Sequence, residues 1–291
     1  MKEYWPPEKE KSKEEYSSRV LLHFFRHGEK EVNSGKPDEK IGLTHLGKKQ
    51  AVEKSESKDL DQSVAFGSSR ERAQETAGFV MGGSLDEITG EENLEELKLK
   101  LNKDQVFGSK IGADLLLDFS VEEDSAFGEK VAEAFKKGRF LTFLIKESDD
   151  LAKELMDKKS TTYSRAAANI ARIIEKYLKI APRWEAIIED SEKEHKNTLE
   201  RFLVTHQGNA ESFLAKVMEF TKGVEERDKF VDILGGKGFG YVEGVNIEIL
   251  NHLHDEPTIK ISYRNNKNLK DPFIFEENID FELLEKIIKG A

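Results

Sequence analysis

Cysteine is absent from this 291-residue chain, which excludes a disulfide framework, a thiolate nucleophile and cysteine-ligated zinc or iron–sulfur centres. A surplus of positive charge is absent as well. Lys and Arg number 46 against 57 Asp and Glu, for a net charge of −11. Sequence-independent binding to nucleic acid, or to an anionic membrane surface, is therefore disfavoured. No apolar run approaches the length of a membrane span, and Met1 to Tyr16 is charged throughout, without the apolar stretch of a signal peptide. With no cysteine and no leader visible, the expected location is cytoplasmic. Charged residues make up 35% and apolar ones 37% of the chain, which fits a globular protein long enough to bury a large core. An anionic substrate would have to be held by a local cluster of arginines and histidines against the global charge.

The pattern along the chain reads as α/β. Residues 1–18 form a charged N-terminal arm, and residues 19–291 read as a single domain with a helical elaboration at about 104–200. Arg19 to Phe25 is a short apolar, β-favouring run, as expected of a buried strand. Thr44 is placed to cap a helix carrying Leu46, Ala51 and Val52 on one face. Val64 to Phe66 reads as a second strand, followed by a helix over 70–81 capped by Ser68 or Ser69 and stopped at Gly82-Gly83. The acidic, leucine-spaced stretch at 85–101 is compatible with strand or helix. A strong helix signal through Ala166 to Ile180 is expected to halt at Pro182. A strand at 201–205, a helix at 209–220, a glycine-rich loop at 235–240, strands at 244–250 and 258–263 and a helix at 281–288 complete the reading.

The chemistry concentrates where strands end. Arg26-His27-Gly28 closes the first strand, so an arginine and a histidine project into the crevice where open α/β sheets bind ligands. Three further segments keep it company: Gly42-Leu43-Thr44-His45-Leu46-Gly47-Lys48-Lys49-Gln50-Ala51, then Phe66-Gly67-Ser68-Ser69-Arg70-Glu71-Arg72-Ala73-Gln74-Glu75-Thr76-Ala77, and finally Phe202-Leu203-Val204-Thr205-His206. In this order and spacing they resemble the histidine phosphatase superfamily, the phosphoglycerate mutase-like proteins. The resemblance spans residues 20–206 and leaves much of the middle and the tail unmatched.

That resemblance implies a three-layer α/β/α sandwich with a mostly parallel central sheet and a helical insertion. It further implies a phosphohydrolase that removes a phosphoryl group from a small phosphate ester. His27 would be the nucleophile, passing through a phosphohistidine. Arg26 and Arg72 would clamp the phosphoryl oxygens through their planar guanidinium forks, and His206 would donate a hydrogen bond to the transferring group. A glutamate after the second helix would protonate the leaving oxygen. Glu96, in Leu94-Glu95-Glu96, stands at the matching place, with Glu95 and Glu211 as alternatives. No metal and no organic cofactor is implied, because arginines and histidines supply the charge. Gln207 stands where the acid-phosphatase branch carries an aspartate. A mutase is the rival within the family, but Arg26-His27-Gly28-Glu29-Lys30 lacks the serine and the Trp-Asn that mutases resemble. A phospho-ligand-binding pseudoenzyme is the rival from another class. The expected partner is a small phosphorylated substrate, with neither nucleic acid nor membrane; the oligomeric state is open.

Other polar residues read as structural. Arg70 is expected on the solvated surface, and His23 as a hydrogen-bonded core residue. His45 sits where the motif varies freely. His252 and His254 read as a polar turn in preference to a metal site, and the glycine-rich loop as a flexible turn in preference to a pocket wall.

Overall fold

The structure is a computed structural model that describes residues 16–32, 35–55, 60, 63–83, 94–102, 110–122, 124–190, 197–252, 256–265 and 272–291. Seven strands form one sheet in the order β3-β2-β4-β1-β5-β6-β7. They are β1 (Ser18–Arg26), β2 (Val64–Gly67), β3 (Ile111–Ala113), β4 (Thr198–Thr205), β5 (Gly244–Asn251), β6 (Thr258–Asn265) and β7 (Phe273–Ile279). β1 to β4 are mutually parallel, while β5, β6 and β7 add on as an antiparallel meander. Most strands thus run one way, although antiparallel pairs are as numerous as parallel ones.

Alternation along β1 explains the layers. Val20, Leu22 and Phe24 enter one core with α7 (Tyr163–Asp190) and α8 (Asn209–Lys222). Phe25 enters the opposite core with α1 (His45–Glu53) and α2 (Glu71–Gly82). Successive side chains of a strand point to opposite faces, so a run that is apolar on both must be covered on both. α3 (Leu94–Asn102) packs on the outside of α2. A third cluster, built from α4 (Ala126–Lys136), α5 (Phe140–Lys146) and α6 (Ser148–Glu154), sits beside the carboxyl ends of the parallel strands. α9 (Val224–Ile233) and α10 (Phe281–Lys289) close the first face.

Several local expectations change. The helix expected to stop at Pro182 continues to Asp190. A proline removes one intrahelical hydrogen bond, but Ala181 and Trp184 on either side of it pack on the core and carry the helix across. α2 has Arg70 at its N-cap and no side-chain cap, because the Ser68 hydroxyl is used elsewhere and Ser69 bonds Asp118. The helical elaboration also contains β3 and a 3-10 turn at Leu115–Leu117, and the acidic stretch ends in α3. Ser18 belongs to β1 and not to the arm, and β7 escaped the periodicity. Thr44 does cap α1, accepting from the Gly47 N–H at 3.0 Å. Among the described residues no helix is long and apolar enough to cross a membrane.

Candidate active site

β1 and β4 lie side by side in parallel register, with Arg26 opposite Thr205. The residue that follows each strand therefore falls next to its counterpart. The His27 N–H donates to the Thr205 carbonyl at 3.1 Å, and the rings of His27 and His206 stand 5.4 Å apart at 64°. Gly28 allows the chain to turn away at once. A Cβ there would lie 2.5 Å from the Gly47 carbonyl oxygen, and one on Gly47 would lie 2.1 Å from that of Glu29. The two glycines let the first loop and the start of α1 touch through bare backbone, which fixes His27 between them.

His27 and His206 are both buried. The Nδ1–H of His27 donates to the Gly28 carbonyl at 2.7 Å, which assigns the lone pair to Nε2, on the cavity side. Burial lowers its pKa, to about 3, with the Gly28 bond opposing and the charges of Arg72, Arg26 and Lys30 reinforcing. The imidazole is therefore neutral at physiological pH, the state a nucleophile requires. His206 Nε2 lies 2.6 Å from the Ser68 hydroxyl. The Arg70 N–H makes a long contact to the same oxygen, 3.5 Å; with the hydroxyl proton given to Nε2, its acceptor among the described residues, the ring proton stands on Nδ1. That Nδ1 is buried and has no partner among the described residues. Burial, then the charges of His27, Arg70, Arg72 and Lys30, hold the His206 pKa well below its ordinary value.

The arginines come from two directions. Arg26, the last residue of β1, lies with its guanidinium 4.6 Å from the centre of the Tyr241 ring and donates to the Phe239 carbonyl at 2.8 Å. Its Nε is buried and has no partner among the described residues. Arg72, in the first turn of α2, donates from Nε to His27 Nε2 at 3.2 Å, from one terminal nitrogen to Asp38 Oδ2 at 3.0 Å, and from the other to the Asp38 carbonyl at 2.7 Å. Asp38 also pairs with Arg70, and with Lys30 at 3.2 Å. Burial opposes the Asp38 charge, but the Arg72 hydrogen bond and the charges of Arg72, Arg70 and Lys30 outweigh it and hold the carboxyl at about 2.

These groups share one cavity of about 600 Å³. Arg26, His27, Lys30, Asp38, Arg70, Arg72, His206 and Gln207 make its polar side, and Phe119, Val121, Val131 and Phe135 its apolar side. Four of the residues named from sequence, Arg26, His27, Arg72 and His206, meet there.

The proposed acids do not. Glu96 is exposed on α3, outside the residues that line the cavity. α3 turns Leu94 and Leu97 toward Gly78 of α2, so its carboxylates face elsewhere, and Glu95 pairs with Lys98. Glu211 is buried beneath the cavity floor, with one oxygen accepting from the Gly208 N–H at 2.9 Å and the other from the Phe239 N–H at 2.8 Å. It caps α8 and pins the glycine-rich loop.

Two bland readings also change. Arg70 lines the cavity, and the loop expected to be a flexible turn delivers the Phe239 carbonyl to Arg26. Others hold. His23 is buried, stacked on Phe202 and hydrogen-bonded to Asn246 and Glu200. His45 is exposed. His252 bonds Thr258 at 3.2 Å, while His254 lies outside the described residues. Lys30, Asp38 and Tyr241 had no signal of their own in the sequence, and Ser68, inside the third motif segment, was read there only as a possible helix cap.

Residues 22–106 match the family model of the histidine phosphatase superfamily, branch 1. The match covers the part of the chain that holds Arg26, His27 and Arg72. Solved structures similar to this chain include a mycobacterial glucosyl-3-phosphoglycerate phosphatase, at 15% identity and a TM-score of 0.42, covering 80% of this chain and 90% of that one. A phosphoserine phosphatase from Entamoeba histolytica follows at 15% and 0.39, covering 83% and 94%. The putative phosphohistidine phosphatase SixA from Agrobacterium tumefaciens stands at 14% and 0.32, covering 82% and 97%. No curated protein matches the chain by sequence.

Proposed function

We propose that the chain is a metal-independent phosphohydrolase acting on a small phosphate ester through a phosphohistidine at His27. The observation that carries this reading is the state of His27: neutral, with Nδ1–H held by the Gly28 carbonyl and Nε2 turned to a cavity that holds Arg26, Arg72 and His206. Phosphoryl transfer asks little of a protein beyond an in-line nucleophile and positive charge around the equatorial oxygens. Arg26 and Arg72 supply that charge, and His206 Nδ1–H a further donor.

In the first step the N–P bond forms at His27 Nε2 as the ester P–O bond breaks. The leaving oxygen departs with the bonding pair and takes a proton from water. In the second, water attacks phosphorus, the N–P bond breaks, and phosphate and neutral His27 are restored. Phe119, Val121, Val131 and Phe135 would receive the organic part of the ester.

The test is hydrolysis of an aryl phosphate, whose leaving oxygen needs little acid assistance, at pH 5 to 8 in chelator. Chelator-resistant turnover that falls at least about a thousand-fold in His27→Ala is expected, as for loss of a nucleophile. Turnover retained by His27→Ala would overturn the assignment.

A further inference from the structure

We propose that Asp38 is an internal anion that occupies the phosphoryl site of the resting chain, and that a phosphate group must displace it to bind. The proposal rests on reading the cavity as a phosphoryl site.

Arg72 presents two parallel N–H donors along one edge of its guanidinium, Nε and one terminal nitrogen. That edge matches the spacing of two oxygens on a carboxylate or a phosphate. In this structure it is divided: Nε donates to the nucleophilic Nε2 of His27, and the terminal nitrogen donates to Asp38 Oδ2. One Asp38 oxygen thus sits on the same arginine edge as the nucleophile, the edge that a phosphoryl group facing His27 would need.

The rest of the carboxylate's surroundings agree. The same oxygen takes a hydrogen bond from Arg70, and the other takes one from Lys30. A single monoanion therefore engages three of the cavity's cations, as a bound phosphate would.

Asp38 is also free to leave. It opens a 3-10 turn of only three residues, Asp38–Lys40, and its side chain is 34% exposed. The bond from Arg72 to the Asp38 main-chain carbonyl can persist while the side chain swings into solvent.

Displacement then acts as a filter on charge. A phosphate dianion gains more than Asp38 from Arg72, Arg70 and Lys30, and takes both positions on the arginine edge. A singly charged anion gains no more than Asp38 already has, so acetate and similar carboxylates are excluded. Asp38 is thus a specificity-determining residue, which raises the concentration at which any phosphate binds.

The experiment is calorimetric titration of inorganic phosphate at pH 7 into the wild-type chain, Asp38→Asn and Asp38→Ala, with acetate as the monoanionic control. Thermal unfolding of each protein confirms that it is folded, and the near-isosteric Asn variant covers failure of the Ala variant. Both variants are expected to bind phosphate about ten-fold more tightly, the change expected when one charge-assisted competitor is removed. Acetate is expected to compete with phosphate in the variants and not in the wild type.

Phosphate binding equal to or weaker than wild type in both variants would overturn the proposal, because Asp38 would then be positioning the arginines for the ligand. If that result came with intact His27-dependent hydrolysis by the wild type, the phosphatase reading would stand alone. Absence of phosphate binding in all three proteins would remove the phosphoryl site and the proposal with it.

Discussion

Replacing Ser68 by alanine tests how the second histidine is set. The Ser68 side chain is completely buried, and its hydroxyl is the partner of His206 Nε2 at 2.6 Å. Its loss leaves a buried ring nitrogen without a hydrogen bond, a penalty of about 1–3 kcal/mol in stability. It also removes the group that assigns the ring proton to Nδ1. A His206 free to carry its proton on Nε2 would present a lone pair, and not a donor, to the phosphoryl oxygens. Loss of one preorganised donor predicts a fall in kcat of roughly ten- to a hundred-fold, about 1.4–2.7 kcal/mol, with a smaller change in KM. The assay is steady-state hydrolysis of an aryl phosphate, paired with nitrogen NMR of the histidine rings to read the tautomer. A purely packing role would lower stability and leave the tautomer unchanged. A Ser68→Ala variant with the wild-type tautomer and a kcat within two-fold would show that Ser68 does not set the His206 ring.

Two further outcomes follow from the geometry. Both site histidines are depressed in the folded chain, His27 to about 3 from an ordinary 6.5, so below pH 6.5 the unfolded chain takes up protons that the folded chain refuses. These groups cost nothing above 6.5; as pH falls from 6.5 toward 3 the His27 shift lowers stability by up to about 1.4 kcal/mol per pH unit, and His206 acts in the same direction; denaturant midpoints from pH 7.5 to 4.5 should fall accordingly, and a slope unchanged in His27→Ala would contradict this. Glu96→Gln should keep kcat within two-fold, since Glu96 stands outside the cavity; a hundred-fold loss would restore the acid role that the motif implied.

How much of this could be read beforehand depends on whether the signal is local. His27 and His206 were legible because each ends an apolar strand, and parallel pairing of those strands brings their ends together. Arg26 and Arg72 were legible for a related reason: each is fixed by the element it ends or begins. Asp38 and Lys30 were not, because they lie in a loop whose path is set by the Gly28–Gly47 contact and by ion pairs that form only in the fold. Arg70 looked like a surface arginine because a residue flanking a helix start has no periodicity to place it. Glu96 shows the opposite failure. A short match of leucine and glutamate fixes a position in the chain, but the leucines of α3 pack on α2 and leave that carboxylate outside. Glu211 was near the right histidine in sequence, yet the backbone N–H groups of Gly208 and Phe239 claim both of its oxygens. Proline 182 misled because one lost hydrogen bond was weighed without the core packing on either side of it.

Whether His27 carries the phosphoryl group is read by rapid-quench trapping with mass spectrometry. During turnover of an aryl phosphate, an acid-labile, base-stable phosphate is expected on His27, formed and consumed fast enough to sustain kcat. Turnover with no phosphorylated His27 at any time, or with the phosphate on another residue, would contradict it.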